Sequence, residues 1–300
     1  MFLKNIFTRI FRNKIPEAPS IKASHPPGHF YSPVSDIKDL HANQDKIWHD
    51  SDENIGINFN YKNQLFVLEE LFPKYYPDYD YPDDLEIDEN LSKYFNNNPA
   101  FGWLDSRLLF VLIRHLKPKR IYEIGAGLST LLTADINSRF FDNKIKFFSA
   151  EPYPANYLKK KIPGLNELIV QKAENLPVSV FSRLEENDIL FIDSSHVSKT
   201  GSDVNYLIFE VLPRLNKGVV IHIHDIFLPR EYPKKWVLED GRSWNEQYLV
   251  RALLLFSDTF EIYAGSAFCY YKFPELVRKA LNIKSGNTYG GSSLWIRKIK

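Results

Sequence analysis

From about residue 106 the apolar positions of this chain alternate between two rhythms. Leu108, Leu109, Val111, Leu112 and Leu116 recur at helical spacing and predict a buried helix over 106–116, ended by Lys117-Pro118. Short apolar runs follow at 120–124, 144–150, 167–171, 188–193 and 218–225, each expected as a strand. The fourth, Ile189-Leu190-Phe191-Ile192, is apolar at every position, as a parallel strand buried on both faces requires. Helical segments lie between them, one restarting at Leu131 and one from about Val204 to Leu215. A helix over 246–256 then leads to strands at 259–264 and 292–297. Strands alternating with helices predict an α/β chain with a doubly wound, mostly parallel sheet.

The first hundred residues read differently. Helices are expected between Asp36 and Phe72, most clearly at 63–71, where Leu65, Leu68 and Leu71 share a face. The stretch 75–84 carries tyrosines alternating with acids and predicts either a solvated loop with stacked rings or one wall of an acceptor pocket. Five prolines between Ile15 and Pro33 predict an extended linker, interrupted by the aromatic segment Gly28-His29-Phe30-Tyr31. In residues 1–14, Phe2, Leu3, Ile6, Phe7, Ile10 and Phe11 fall at helical spacing, with Lys4, Arg9, Arg12 and Lys14 between them. That basic amphipathic pattern suits an anionic membrane interface, or else a helix docked on protein. The connection 228–247 is long for a compact domain and rich in aromatic and charged groups; it is expected to act as an acceptor lid, with disorder as the alternative.

Composition narrows the classes. With 38 basic and 37 acidic side chains the net charge is +1, which leaves no basic field for nonspecific nucleic-acid binding. Cys269 is the only cysteine, so no intrachain disulfide forms and a reducing compartment is expected. No run approaches the roughly 20 apolar residues of a spanning helix, so a cytoplasmic protein is expected, with peripheral membrane contact through 1–14. The oligomeric state has no signature in the sequence.

The candidate chemistry begins at Arg120-Ile121-Tyr122-Glu123-Ile124-Gly125-Ala126-Gly127-Leu128-Ser129-Thr130, a strand that stops in a glycine turn and restarts as a helix. Such a turn brings backbone N–H groups close to a ligand. A dinucleotide fingerprint would place a third glycine where Thr130 stands, and Glu123 suits a cationic ligand better than a pyrophosphate. Glu151 closes the second strand about 20 residues past the turn, where a carboxylate can accept both ribose hydroxyls. Here the sequence resembles the class I S-adenosylmethionine (SAM) methyltransferases, whose first motif reads acidic-x-Gly-x-Gly. The resemblance covers residues 106–300 and implies a Rossmann-like, seven-stranded sheet with an antiparallel last strand. It leaves 1–14 as a basic helix and 15–105 as an N-terminal extension or lid. It implies SAM contacts from Glu123, Gly125, Gly127, Ser129, Glu151 and Asp193, with Ala173 and Glu174 flanking the adenine.

Two polar clusters end the fourth and fifth strands, Asp193-Ser194-Ser195-His196 and His224-Asp225. Adjacent strands would bring them to one rim, the edge where open α/β sheets bind ligands. Asp193 and His196 match the spacing seen in metal-assisted O-methyltransferases of the macrocin type, which carry two acids where this chain has His224-Asp225. The resemblance thus implies a divalent metal held by Asp193, Asp225 and His224, one carboxylate fewer than the family, with His196 and Asp193 as the catalytic pair. Strand alternation sets Asp225 opposite His224, so the two converge only if the strand ends before them. The leading function is O-methylation of a hydroxyl on a small molecule or sugar. The alternatives are a nicotinamide-dependent oxidoreductase, disfavoured by Glu123 and Thr130, and a non-catalytic SAM-fold scaffold.

Overall fold

The computed structural model describes residues 23–49, 55–283 and 290–300. The amphipathic segment 1–14 lies outside the described residues. Seven strands form one sheet: β1 Arg120–Ile124, β2 Lys146–Ala150, β3 Glu167–Ile169, β4 Ile189–Ile192, β5 Val220–Ile223, β6 Phe260–Gly265 and β7 Leu294–Lys298. Their order is β3-β2-β1-β4-β5-β7-β6, with β1 to β5 parallel and β7 antiparallel to both of its neighbours. β2, β3, β4, β5 and β7 are shorter than the runs expected from the apolar pattern, whereas β1 spans 120–124 as expected and β6 keeps its length one residue further on.

Alternation along β4 divides the interior into two cores. Ile189 and Phe191 face one, with the entry helix Trp103–Leu116, the helix Leu128–Phe141 and residues 67–101. Leu190 and Ile192 face the other, with Phe181, Val204, Leu207 and Val250. Fully burying a side chain of this size contributes about 1.5–3 kcal/mol, so the two layers together hold the central strand in register.

The N-terminal region is part of this packing. Residues 59–64 cover the outer edge of β6: Asn60 Nδ2 donates to the Ile262 carbonyl at 3.0 Å and Asn63 Nδ2 to that of Tyr263. Gln64, fully buried, accepts from Gly265 N at 2.9 Å and donates to the Phe59 carbonyl. An edge so capped offers no free carbonyl row for another strand. The tyrosine stretch is likewise packed. Tyr79 packs edge-to-face on Phe110 and Tyr81 on Tyr94, and Tyr81 Oη donates to Asp135 at 2.7 Å, while Asp78 and Asp80 face outward. The ring contacts and outward acids expected of a surface loop are thus present, and ring alternation sets the partly buried tyrosines against the entry helix. Phe30 and Tyr31, by contrast, are 81% and 69% exposed and stack on each other and His29.

Two predicted helices widen into π-turns. Tyr61–Phe66 passes into Val67–Leu71, where Phe72 N bonds Val67 O, and Asp203–Tyr206 passes into Leu207–Val211, where Leu212 N bonds Leu207 O. A proline follows each, Pro73 and Pro213. A proline ring collides with the carbonyl four residues back in an α-helix, and one widened turn relieves that collision.

Candidate active site at the carboxyl rim of the sheet

The pairing register aligns the strand ends. Ile124 faces Ala150 on one side and Ile192 on the other, and Ile192 faces Ile223. The next residue of each strand therefore falls in one row: Glu151, Gly125, Asp193, His224. Gly125 N bonds Ala150 O at 2.9 Å, Asp193 N bonds Ile124 O at 2.9 Å and His224 N bonds Ile192 O at 2.9 Å, extending the ladder to the rim.

Gly125 has φ +89°, and a Cβ there would lie 1.7 Å from the Asp193 carbonyl oxygen, so only glycine lets the turn touch the end of β4. Gly127 differs. Its φ of −165° is open to any residue and nothing lies within 4 Å of a Cβ built there. The protein's own packing does not require glycine at 127.

Glu123 is 2% exposed and its oxygens accept from Ser129 Oγ at 2.7 Å, Thr130 Oγ1 at 2.6 Å and Ser149 Oγ at 2.7 Å. Burial pushes its carboxyl up to about 7 against the pull of those hydroxyls. Thr130 also accepts from Gly127 N at 2.9 Å, so Glu123 and Ser129 reach any ligand through the turn they brace. Glu151 is half-buried at the tip of β2, accepts from Tyr153 N at 2.7 Å and is raised by burial. Ala173 is buried in a short 3-10 turn, and Glu174 beside it lies 3.8 Å from Lys172 Nζ.

The acid–histidine cluster occupies the other half of the row. Asp225 has φ +56°, so the chain has left β5, and its carboxylate turns back toward His196 instead of pointing opposite His224. His196 is also left-handed, with φ +59°. Such backbone conformations cost energy and persist where surrounding contacts over-determine them. His196 Nε2 lies 3.3 Å from Asp193 Oδ1 and 3.5 Å from Asp225 Oδ2. His224 Nδ1 lies 3.4 Å from Asp193 Oδ1 and 3.6 Å from Asp225 Oδ1. Asp193, at 26% side-chain exposure against 8% for His196 and 10% for Asp225, is where the cluster opens.

Two further carboxylates stand behind the imidazoles. Glu246, which begins the helix Glu246–Leu254, lies with Oε2 3.0 Å from His196 Nδ1. Asp105, in the first turn of the entry helix, lies 3.3 Å from His224 Nε2 and accepts from Ser266 Oγ, Ser292 N and Ser293 N. Sequence reading assigned neither a role. Their imidazole partners are 119 and 50 residues away, and an acid in a helix's first turn reads locally as a cap.

The charges are strongly coupled. Burial works against an ionised ring, yet Asp193, Glu246 and Asp225 push His196 up to about 10. Burial likewise opposes charge on His224, but Asp193, Asp225 and Asp105 hold it well above the ordinary imidazole range. Burial would raise Asp193, but His224 and His196 hold it well below the usual carboxylate range. His222 is a core residue: it stacks on Phe191 at 3.9 Å, and burial followed by the neighbouring His224 pushes it well below its usual value.

Four carboxylates thus face two imidazoles. One atom each from Asp193, His196 and Asp225 lies within 4.8 Å of the others. Opposed ligands on a divalent ion with bonds near 2.1 Å are about 4.2 Å apart, so this donor set fits a cation after small side-chain rotations. The fitting nitrogen belongs to His196; His224 is engaged between Asp193 and Asp105. One imidazole and two carboxylates suit a borderline ion better than Mg²⁺. The buried Ser194 Oγ beside Asp193 has no hydrogen-bond partner.

The 228–247 segment is packed over this rim. Trp244 lies 4.3 Å from the His196 ring, and Arg242 sits over both Trp236 and Trp244. Tyr232 is buried and its hydroxyl accepts from Gln247 N, while Trp48 Nε1 donates to the Tyr232 carbonyl at 2.8 Å.

Residues 122–226 match a family model described as a methyltransferase domain. An uncharacterised protein of Archaeoglobus fulgidus is 39% identical over 183 residues, spanning 58% of this chain and 81% of that protein. Among solved structures, SAH-bound Podospora anserina methyltransferase PaMTH1 overlaps at a TM-score of 0.39 and 17% identity, over 65% of this chain and 78% of that one. An O-methyltransferase candidate from Klebsiella pneumoniae overlaps at 0.37 and 14%, over 65% and 79%. The stretch matched as a methyltransferase domain is the one whose glycine turn and strand-end acids build the rim.

Proposed function

We propose that this protein transfers the methyl group of SAM to a hydroxyl oxygen of a small molecule or sugar. The observation that carries the reading is the contact between its two halves: the glycine turn touches the first residue of the acid–histidine cluster, since only the missing Cβ of Gly125 keeps it clear of Asp193. A donor over the turn and an acceptor over the cluster would lie side by side, and catalysis then needs little beyond alignment and deprotonation. The acceptor oxygen supplies the electron pair of the new O–CH₃ bond, the S–CH₃ pair stays on sulfur, and the acceptor's proton goes to the protein.

His196 Nε2 is the proton acceptor in this reading. It serves only when Asp193 and Asp225 are otherwise engaged, because their charges are among the causes that hold a proton on the ring. A divalent cation bound by the Asp193 and Asp225 carboxylates alone, with the Nε2 lone pair of His196 left free, would draw off that charge and acidify the acceptor hydroxyl. Trp244 and Arg242 would wall the acceptor on the lid side.

Isothermal titration with SAM and with NAD, and mass spectrometry of small molecules copurified with the protein, test the cofactor half. SAM or SAH is expected in the sample, with SAM binding and no NAD binding. NAD binding in its place would move the protein to the oxidoreductases.

A further inference from the structure

We propose that Glu246 is the positioning residue of the site: it takes the Nδ1–H of His196 and so holds Nε2 toward the rim. The proposal rests on the reading of His196 as the working imidazole. Every contact of Nε2 is loose, 3.3 Å to Asp193 and 3.5 Å to Asp225, beyond good N–H···O geometry, whereas Nδ1 to Glu246 Oε2 is 3.0 Å. The ring is therefore aimed by its far side. Glu246 is 2% exposed, and His196 is its side-chain partner in this arrangement. A buried carboxylate costs several kcal/mol to desolvate unless it is paired, so its place here is set by the imidazole.

The same three residues that end the lid segment close on His196 from other directions. Asn245 N and Glu246 N both donate to the His196 carbonyl, at 3.1 and 3.2 Å, and Ser198 N donates to Asn245 Oδ1 at 2.6 Å. Trp244 covers the ring. These contacts hold the left-handed backbone at His196, which a histidine adopts only under constraint. Packing of residues 244–246 against the His196 backbone and ring thus helps set the direction of Nε2.

The test compares Glu246→Gln and Glu246→Ala in the full chain by ¹H–¹⁵N NMR of the histidine side chains, with the His196 resonances assigned from His196→Asn. Wild type is expected to show a slowly exchanging, far-downfield Nδ1–H. The Gln variant keeps an acceptor, so the resonance should persist but move upfield as the acceptor loses its charge. In the Ala variant it should be lost to exchange. An Nδ1–H that is unmoved in the Gln variant overturns the proposal even if the Ala variant fails to fold, because Gln preserves volume and one acceptor. SAM affinity, read in parallel, should stay within about twofold of wild type in the Gln variant, since Glu246 lies on the acceptor side. Wild type that binds no SAM yet shows the expected NMR pattern would sink the methyltransferase reading and leave the positioning role standing; SAM binding with an unmoved resonance would do the reverse.

Discussion

Glu123 carries the pH dependence that belongs to a single residue. Its native value of about 7 lies above the 4.5 of an ordinary glutamate, so the native state binds the proton more tightly than the unfolded one. That contribution is complete below pH 4.5 and is lost as pH rises through 7, on the order of 3 kcal/mol in all. Glu123→Gln should therefore remove a downward slope of stability between these pH values. Urea unfolding of both proteins across the window checks it, and parallel curves would show that Glu123 is already ionised when buried. The two glycines give a second contrast. Gly125→Ala should cost more than about 3 kcal/mol, because a Cβ meets the Asp193 backbone and φ is positive. Gly127→Ala should leave the melting temperature within a degree or two and yet weaken SAM binding at least tenfold, as the added methyl faces open space in the protein alone. Unchanged SAM affinity in a folded Gly127→Ala protein would place the cofactor elsewhere.

At the scale of elements, Asp188 pins the start of β4 to the start of β1. Its Oδ1 accepts from Lys119 N and Arg120 N at 2.8 Å, and its Oδ2 from Glu185 N at 2.9 Å, with the side chain fully buried. Asp188→Ala leaves those amides without acceptors at about 1–3 kcal/mol each, and a loss of roughly 3–5 kcal/mol is expected in denaturant unfolding. Asp188→Asn, which keeps one oxygen, should lose about half as much. An Ala variant within 1 kcal/mol of wild type would mean that the amides find other partners. The strands were legible in the sequence because a parallel strand buried on both faces has no polar position to hide it, as 189–192 illustrates. Asp193, His196 and Asp225 were legible as chemistry because they follow such strands directly. The convergence of Asp225 was not, since it depends on a left-handed residue after Ile223 that alternation cannot express. Asp105 and Glu246 were not, since nothing local distinguishes a helix-capping acid from one that holds a distant imidazole. The π-turns escaped for a milder reason: Pro73 and Pro213 signal a stop, and the chain accommodates each by widening one turn first.

For the whole molecule, the near-balance of charge leaves the basic segment 1–14 as the concentrated positive patch of the sequence. No helix among the described residues is long and apolar enough to cross a membrane. With each basic side chain contributing about 1 kcal/mol near anionic lipid, the full chain should pellet with phosphatidylserine vesicles at low salt and lose this at high salt. The chain lacking residues 1–14 should stay in solution and bind SAM as before; equal pelleting of both forms would assign the segment to packing instead.

The place of β7 in the sheet bears on the order of biosynthesis. β7 lies between β5 and β6, and the serines just before it, Ser292 and Ser293, supply donors to Asp105 and, through Ser292 Oγ, to Asp225 at 2.9 Å. A ribosome releases Asp105, Asp193, His196, Asp225 and Glu246 well before it releases those serines. Without β7, β5 and β6 have no strand between them and Asp105 lacks the amide donors of Ser292 and Ser293. The glycine turn needs only β1, β2 and β4 around it, whereas the contacts of Asp105 and Asp225 with Ser292 and Ser293 wait for β7 to enter between β5 and β6.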